Sequence, residues 1–145
     1  MPLQTQFTFQ HTTSVVHGPN STALLPEYLP DKSKVLLVTD KGLVAAGVAA
    51  RVCEVLNDAN IPYVLYDGVL ANPPARCVHA GTRLYEREKC KAIVGLGGGS
   101  PMDVAKMIGV LASHGGRIDQ YLGIGKVTKN MPVLVCIPTT YGTAS

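Results

Sequence analysis

The apolar residues of this chain form short continuous runs, separated by longer stretches with helical spacing. Val, Ile and Leu dominate four of the runs, which are typical of buried strands: residues 35–39, 61–66, 92–96 and 132–137. Between them, apolar side chains recur every three or four positions and predict helices over residues 43–59, 76–88 and 100–115. Such strands, alternating with helices, predict a parallel sheet covered on both faces. The 145 residues fit one α/β domain spanning 1–145.

The N-terminal region has a weaker pattern. Phe7 and Phe9, and less regularly Thr13 and Val15, alternate with polar residues, which indicates an extended strand or hairpin. A short helix is predicted to follow over residues 21–29, where apolar side chains share one face.

Three consecutive glycines, 97–99, connect the strand 92–96 to the next helix. Ser100 is a favourable N-cap residue, Pro101 suits the first helical position, and Asp103 is placed as the acid of a capping box. A strand, a glycine loop and a helix N-terminus together direct main-chain N–H groups and the positive end of the helix dipole at one point. The sequence therefore predicts a phosphate-binding junction.

Known phosphate motifs match this junction incompletely. Gly95 and Gly97 begin the dinucleotide fingerprint G-x-G-x-x-G, but its third glycine is replaced by Ser100. A Walker A loop is excluded because no Lys follows the glycines. From the residues alone, a tight turn that needs glycine only for its backbone remains the alternative.

Polar residues follow each predicted strand at its carboxyl end, where ligands bind in parallel sheets. These residues are Asp40, Asp67, Asn72, the glycines 97–99, Thr139, Thr140 and Thr143. Asp40 could accept hydrogen bonds from a ribose 2′-hydroxyl, or it could cap a helix. Asn72 precedes two prolines and could simply form a turn, and the threonines could bind phosphate or ribose or belong to an ordinary polar loop.

Composition narrows the function classes. The net charge is +3, from 13 basic and 10 acidic residues that form no stripe, so nucleic-acid binding is not indicated. The sequence has neither a run of 18 apolar residues nor a signal peptide, and we expect a soluble cytoplasmic protein that does not enter a membrane. The four cysteines form no C-x-x-C pair, and the four histidines lack metal-ligand spacing. We therefore expect no metal site and no catalytic nucleophile in this chain.

Four segments resemble iron-containing (group III) alcohol dehydrogenases. They are VLLVTDKGLVAAGV, YDGVLANP, GGGSPMDVAK and IPTTYGTAS, and they occur in this order between residues 35 and 145. The family often has a small residue at the position of Tyr141 and a Glu just after that of Ser145.

The resemblance implies a Rossmann-like N-terminal domain of the dehydroquinate synthase type, which binds NAD(P). The positions that match cofactor contacts are Asp40, Asn72, Gly98, Gly99, Ser100, Thr139, Thr140 and Thr143. Asp40 matches the acid that selects ribose, so NAD is expected rather than NADP. The resemblance also implies homodimers paired partly through N-terminal strands, and hydride transfer between NAD(P)H and an alcohol–aldehyde pair at Fe²⁺ or Zn²⁺.

In the family that metal is held by an Asp and several His of a following helical domain, which we expect to be absent from this chain. The chain alone is then catalytically incomplete. Two alternatives stay open: a relative of glycerol dehydrogenase and dehydroquinate synthase, or a non-catalytic module for nucleotide binding or dimerisation.

Overall fold

The computed structural model describes residues 12–141. Within these residues, four strands alternate with four α-helices, and two 3₁₀ helices are also present. The strands are β1 (Val35–Val38), β2 (Tyr63–Tyr66), β3 (Ala92–Gly97) and β4 (Val133–Pro138). The α-helices are α1 (Lys41–Ala45), α2 (Val48–Asp58), α3 (Ala75–Arg87) and α4 (Gly99–His114), and the 3₁₀ helices are Ser21–Tyr28 and Ile118–Tyr121.

The strands form one parallel sheet in the order β2-β1-β3-β4. Val35 of β1 is in register with Tyr63 of β2 on one side and with Ala92 of β3 on the other. The chain first extends the sheet to one side of β1 and then crosses to the other side, so the order reverses between β1 and β3. A crevice opens at such a switch point, beyond the carboxyl ends of the strands.

Each face of the sheet packs against its own helices, because successive strand residues point to opposite faces. Leu36, Val38 and Ile93 pack with apolar side chains of α3 and α4. Val35 and Leu37 pack with α2 and the first 3₁₀ helix on the other face. The two-sided core confirms the predicted α/β sheet covered on both faces.

The single helix predicted over residues 43–59 is wrong. The segment forms two helices, α1 and α2, with Gly47 between them in the left-handed region at φ 76°. Its N–H donates to the Val44 carbonyl at 3.1 Å and closes the end of α1. The apolar spacing continues through this break because both helices pack on the same face of the sheet.

The predicted N-terminal strand is wrong where it can be examined. Thr13 and Val15 are exposed and belong to no strand or helix. Phe7 and Phe9 lie outside the described residues. No strand of the described residues 12–141 pairs with this segment to take up its N–H and C=O groups, and alternation alone does not make a strand.

Within residues 12–141, none of the helices combines the length and the apolar character that crossing a bilayer requires.

Candidate functional site

A cavity of about 990 Å³ opens at the carboxyl ends of the four strands. Its walls are the loops that follow the four strands, together with one side of α3. The lining includes six of the eight predicted site residues: Asp40, Gly98, Gly99, Ser100, Thr139 and Thr140. Residues separated by up to a hundred positions in the sequence are therefore brought to one place by the parallel sheet.

The glycine loop allows a close approach of three segments. A Cβ on Gly97 would lie 2.7 Å from Pro101 Cγ and 3.0 Å from Leu43 Cδ1, and the residue has a φ of 146°. A Cβ on Gly98 would lie 3.2 Å from Thr140 Oγ1. The Thr139 N–H also donates to the Gly97 carbonyl at 2.8 Å, which ties the end of β4 to the loop. Any side chain at Gly98 would project toward Thr140 at the cavity wall.

The N-terminus of α4 differs from the predicted capping box. The N-cap is Gly98, and Ser100 is the second residue of the helix. Among the residues that the structure describes, no side chain caps this end, and the Asp103 Oδ1 lies 3.8 Å from the Lys106 Nζ instead. The flexible glycine backbone allows the helix to begin two residues earlier than a serine cap would. The first-turn N–H groups, which have no intrahelical partner, remain without a side-chain cap beside the cavity.

Asp40 is half-buried at the carboxyl end of β1 and caps α1. Its Oδ1 accepts a hydrogen bond from the Leu43 N–H at 2.9 Å. Asp40 also pairs through its backbone with Gly68, which follows β2. A carboxylate has about four acceptor positions, so capping does not exhaust this side chain, and Asp40 lines the cavity.

The other two predicted site residues are not placed in the cavity. Asn72 is exposed, has a left-handed φ of 47°, and is not part of the lining, which ends at Ala71 in this loop. This conformation suits the turn that was the alternative for Asn72. Thr143 lies outside the described residues.

The cavity also has charged residues that the sequence did not single out as site residues. Lys41 follows Asp40, and α3 contributes Arg76 and Arg83, which are seven positions apart and therefore lie on the same face of the helix. The spacing of these two arginines within a predicted helix was the one feature of the sequence that could have indicated a shared positively charged face. Tyr66 anchors α3 at this wall, because its hydroxyl donates to the Cys77 carbonyl at 2.7 Å.

The described residues 12–141 contain no cluster of three or more His, Cys, Asp or Glu side chains that could hold a metal ion. Asp40 and Asp67, the two carboxylates at the cavity, are not part of any such cluster within these residues. This part of the chain therefore does not fit a metal centre.

The family model described as iron-containing alcohol dehydrogenase matches residues 12–145. The chain belongs to this family. The iron-containing alcohol dehydrogenases are oxidoreductases of alcohols and aldehydes, and the predicted resemblance is confirmed.

Individual relatives named as dehydrogenases agree with this assignment. A choline dehydrogenase from Bacillus subtilis (strain 168) is 43% identical over an alignment of 148 positions, which covers 99% of this chain and 37% of the relative. An NAD-dependent methanol dehydrogenase from Bacillus methanolicus is 38% identical over 112 residues, covering 77% of this chain and 29% of the relative. The chain thus spans about a third of the length of these relatives.

A solved structure of a 1,3-propanediol oxidoreductase superimposes with a TM-score of 0.83 at 41% identity, covering 88% of this chain and 34% of the other. The alternation of strands and helices around one parallel sheet is therefore the fold of a known region of iron-containing alcohol dehydrogenases.

Proposed function

We propose that this chain forms the NAD-binding part of a dehydrogenase that interconverts alcohols with aldehydes or ketones by hydride transfer. The observation that carries the proposal is the convergence of the glycine loop, Asp40 and the threonines after β4 on one cavity. A dinucleotide needs an anion-binding point for its diphosphate and acceptors for its ribose hydroxyls, and this cavity offers both.

The N-terminus of α4 fits a diphosphate. Gly98 and Gly99 have no side chains that would keep an anion from the main chain, and Ser100 adds a hydroxyl beside the cavity. No side chain of the described residues 12–141 caps this end of the helix, so its N–H groups and its positive dipole are available to a ligand. Thr139 and Thr140 line the same cavity, and their hydroxyl groups can donate to the same anion.

Asp40 fits a ribose. In dinucleotide-binding sheets an acid near the end of a neighbouring strand accepts from the 2′-hydroxyl, and it repels the 2′-phosphate of NADP. The position of Asp40 at the carboxyl end of β1, beside the switch point, agrees with this role. The NAD-dependent methanol dehydrogenase among the relatives also supports NAD as the cofactor.

The cofactor supplies the hydride chemistry, and this chain's residues bind and orient it. Because the described residues do not fit a metal centre, we assign none of them to the Fe²⁺ or Zn²⁺ that the family resemblance implies. We also assign none of them to a catalytic proton transfer.

Titration of the purified chain with NADH, followed by nucleotide fluorescence and by calorimetry, tests the proposal. We expect saturable binding by the wild type and a loss of about tenfold or more in Gly98→Val, because the new side chain projects toward Thr140 where the diphosphate enters. Gly98 has an extended backbone, φ −81° and ψ −159°, which valine also adopts.

Ala50→Val is the matched control, since it adds similar bulk at an exposed position of α2, outside the cavity lining. It should leave NADH binding unchanged. Equal affinity in the wild type and Gly98→Val, or no binding by the wild type, would contradict the proposed function.

A further inference from the structure

The exposed segment 122–130 connects the second 3₁₀ helix to β4 and is held to α4 by one side chain. That side chain is His114, the half-buried last residue of α4. Its Nε2 accepts hydrogen bonds from the main-chain N–H groups of Thr128 and Lys129, at 3.0 and 2.9 Å. In the part of the chain that the structure describes, these are the only hydrogen bonds of segment 122–130.

The neighbours of the imidazole determine which ring nitrogen carries the proton. His114 Nδ1 lies 3.1 Å from the Val110 carbonyl oxygen and 2.7 Å from Ser113 Oγ. A carbonyl oxygen can only accept, so Nδ1 is the nitrogen that carries a proton and donates it. Nε2 then has a lone pair, which its two N–H donors require. The contacts on both sides of the ring therefore select the neutral form that is protonated on Nδ1.

A second proton on this imidazole is incompatible with the two contacts to segment 122–130. In the imidazolium both ring nitrogens are donors, so Nε2 would face two N–H groups without a lone pair. Histidines gain this proton between about pH 5 and pH 8, and the carboxyl end of a helix favours the charged ring. The contact from Nδ1 to the Val110 carbonyl is possible in either form. Protonation therefore acts on the segment and not on α4 itself.

The charges near the imidazole do not compensate for the loss of these contacts. Within residues 12–141 no carboxylate forms an ion pair with the imidazole, and Lys129 carries a charge of the same sign. From the second 3₁₀ helix the Tyr121 ring contacts the imidazole edge-on, with the ring centroids 5.4 Å apart. On that helix the hydrogen bond from Arg117 lowers the pKa of the Asp119 carboxyl, with a smaller contribution from the charge of His79 on α3. His79 is therefore a second titrating histidine near this helix.

Both ends of the segment are held independently of the imidazole. Before it, the Tyr121 hydroxyl donates to the Gly115 carbonyl. After it, Met131 packs on α4, since a Cβ on Gly109 would lie 2.8 Å from Met131 Cε. Loss of the contacts to Nε2 therefore releases only the residues between these two points.

We propose that His114 is a pH-dependent tether, which holds segment 122–130 on α4 when the ring is neutral and releases it when the ring is protonated. The sheet and α4 stay folded in both states. His114 and segment 122–130 lie outside the cavity lining, so the tether acts independently of the proposed cofactor site.

Nuclear magnetic resonance of the isotope-labelled chain without nucleotide, at about pH 8 and about pH 5.5, tests the tether. Five proteins are compared: the wild type, His114→Gln, His114→Ala, His79→Gln and His17→Gln. Glutamine offers an acceptor oxygen that does not titrate, whereas alanine removes the acceptor. His79→Gln removes the other imidazole near the 3₁₀ helix, and His17 is an exposed histidine outside every helix and strand.

We expect the wild-type ring at about pH 8 to carry its proton on Nδ1. The backbone order parameters of residues 122–130 should be above about 0.8 at that pH and below about 0.6 at about pH 5.5. His79→Gln and His17→Gln should respond as the wild type does. His114→Gln should show no pH response, and His114→Ala should have low order parameters at both pH values.

A proton on Nε2 at about pH 8, or a wild-type segment that is equally ordered at both pH values, would overturn the inference. The same is true if His114→Gln responds to pH as the wild type does, or if the response disappears in His79→Gln instead. If His114→Ala does not fold, the position of the ring proton and the comparison of His114→Gln with the wild type still decide.

Discussion

Asp40 accepts a hydrogen bond from the main-chain N–H of Leu43 at 2.9 Å, and this contact connects the end of β1 to the start of α1. The same carboxylate lines the cavity. Both roles considered from the sequence, helix cap and ribose acceptor, are thus compatible at one residue. The hydrogen bond from Leu43 holds the Asp40 carboxylate beside the switch point of the sheet. The remaining acceptor positions of the carboxylate can face a ligand.

Two substitutions separate these roles. Asp40→Asn keeps a capping oxygen and removes the charge, so its stability should stay close to that of the wild type while NADPH binding improves relative to NADH. Asp40→Ala removes the cap as well and should lower the free energy of unfolding by about 1 kcal/mol. Urea denaturation and cofactor titration of both variants check this. An unchanged ratio of NADPH to NADH affinity in Asp40→Asn would show that the charge of Asp40 does not select the cofactor.

Gly95 is expected to be required for the packing of β3 against α4. A Cβ at this position would lie 2.8 Å from the Ala105 Cβ, so Gly95→Ala should destabilise the fold by about 1–3 kcal/mol. Ala105→Gly removes the opposing methyl group, and the double variant should be more stable than the sum of the two single effects predicts. Chemical denaturation of the three variants measures this coupling, and strict additivity would contradict the contact.

Thr39 directly follows β1, and its fully buried hydroxyl has no hydrogen-bond partner within residues 12–141. A buried polar group without a partner lowers stability. Replacement by valine keeps the shape and removes the hydroxyl, so Thr39→Val should raise the free energy of unfolding by about 1 kcal/mol. A thermal or urea melt that shows lower stability for Thr39→Val would mean that the hydroxyl has a partner in solution.

Glu88 gives a pH-dependent contribution to stability. A hydrogen bond from Lys34, at 2.6 Å, lowers the pKa of the Glu88 carboxyl below its ordinary value. The folded state therefore binds this proton more weakly than the unfolded state, and the contribution is present above the ordinary pKa and is lost as the pH falls through the lowered one. Glu88→Gln should lose less stability than the wild type on acidification.

Glu86→Gln is the control for that comparison, because Glu86 is an exposed glutamate in the last turn of α3, two residues before Glu88. Unfolding free energies measured at several acidic pH values should show the same pH dependence for Glu86→Gln and the wild type. If Glu88→Gln also followed the wild type, the ion pair with Lys34 would have no part in the acid response.

The strands and the loops of the site could be predicted because each is marked by the types of residue in its own segment of the sequence. Continuous apolar runs identify strands buried on both faces, and the polar residues that follow them meet at one edge of a parallel sheet. The position of the cavity followed from this geometry. The helix break at Gly47 could not be predicted, because apolar spacing continues across it while the left-handed turn depends on the backbone.

Contacts between distant residues needed the structure. The glycine loop did not reveal where α4 begins, since Gly98 serves as N-cap without a side chain. The arginines of α3 became part of the site only when the sheet placed that helix at the cavity. Similarly, His114 Nε2 accepts hydrogen bonds from the Thr128 and Lys129 N–H groups at 3.0 and 2.9 Å, which no spacing of histidines predicts.

The proposed function depends on the main-chain amides at the start of α4, which are proposed to hold the diphosphate of a dinucleotide. Amide NMR spectra of the isotope-labelled chain during titration with NAD⁺ test this role, because each N–H group gives its own signal. We expect Gly98, Gly99 and Ser100 to show the largest saturable shifts. Shifts that leave these three amides unchanged, or that are concentrated at Val78, Met107 and Ile118 around the smaller cavity between α3 and α4, would contradict it.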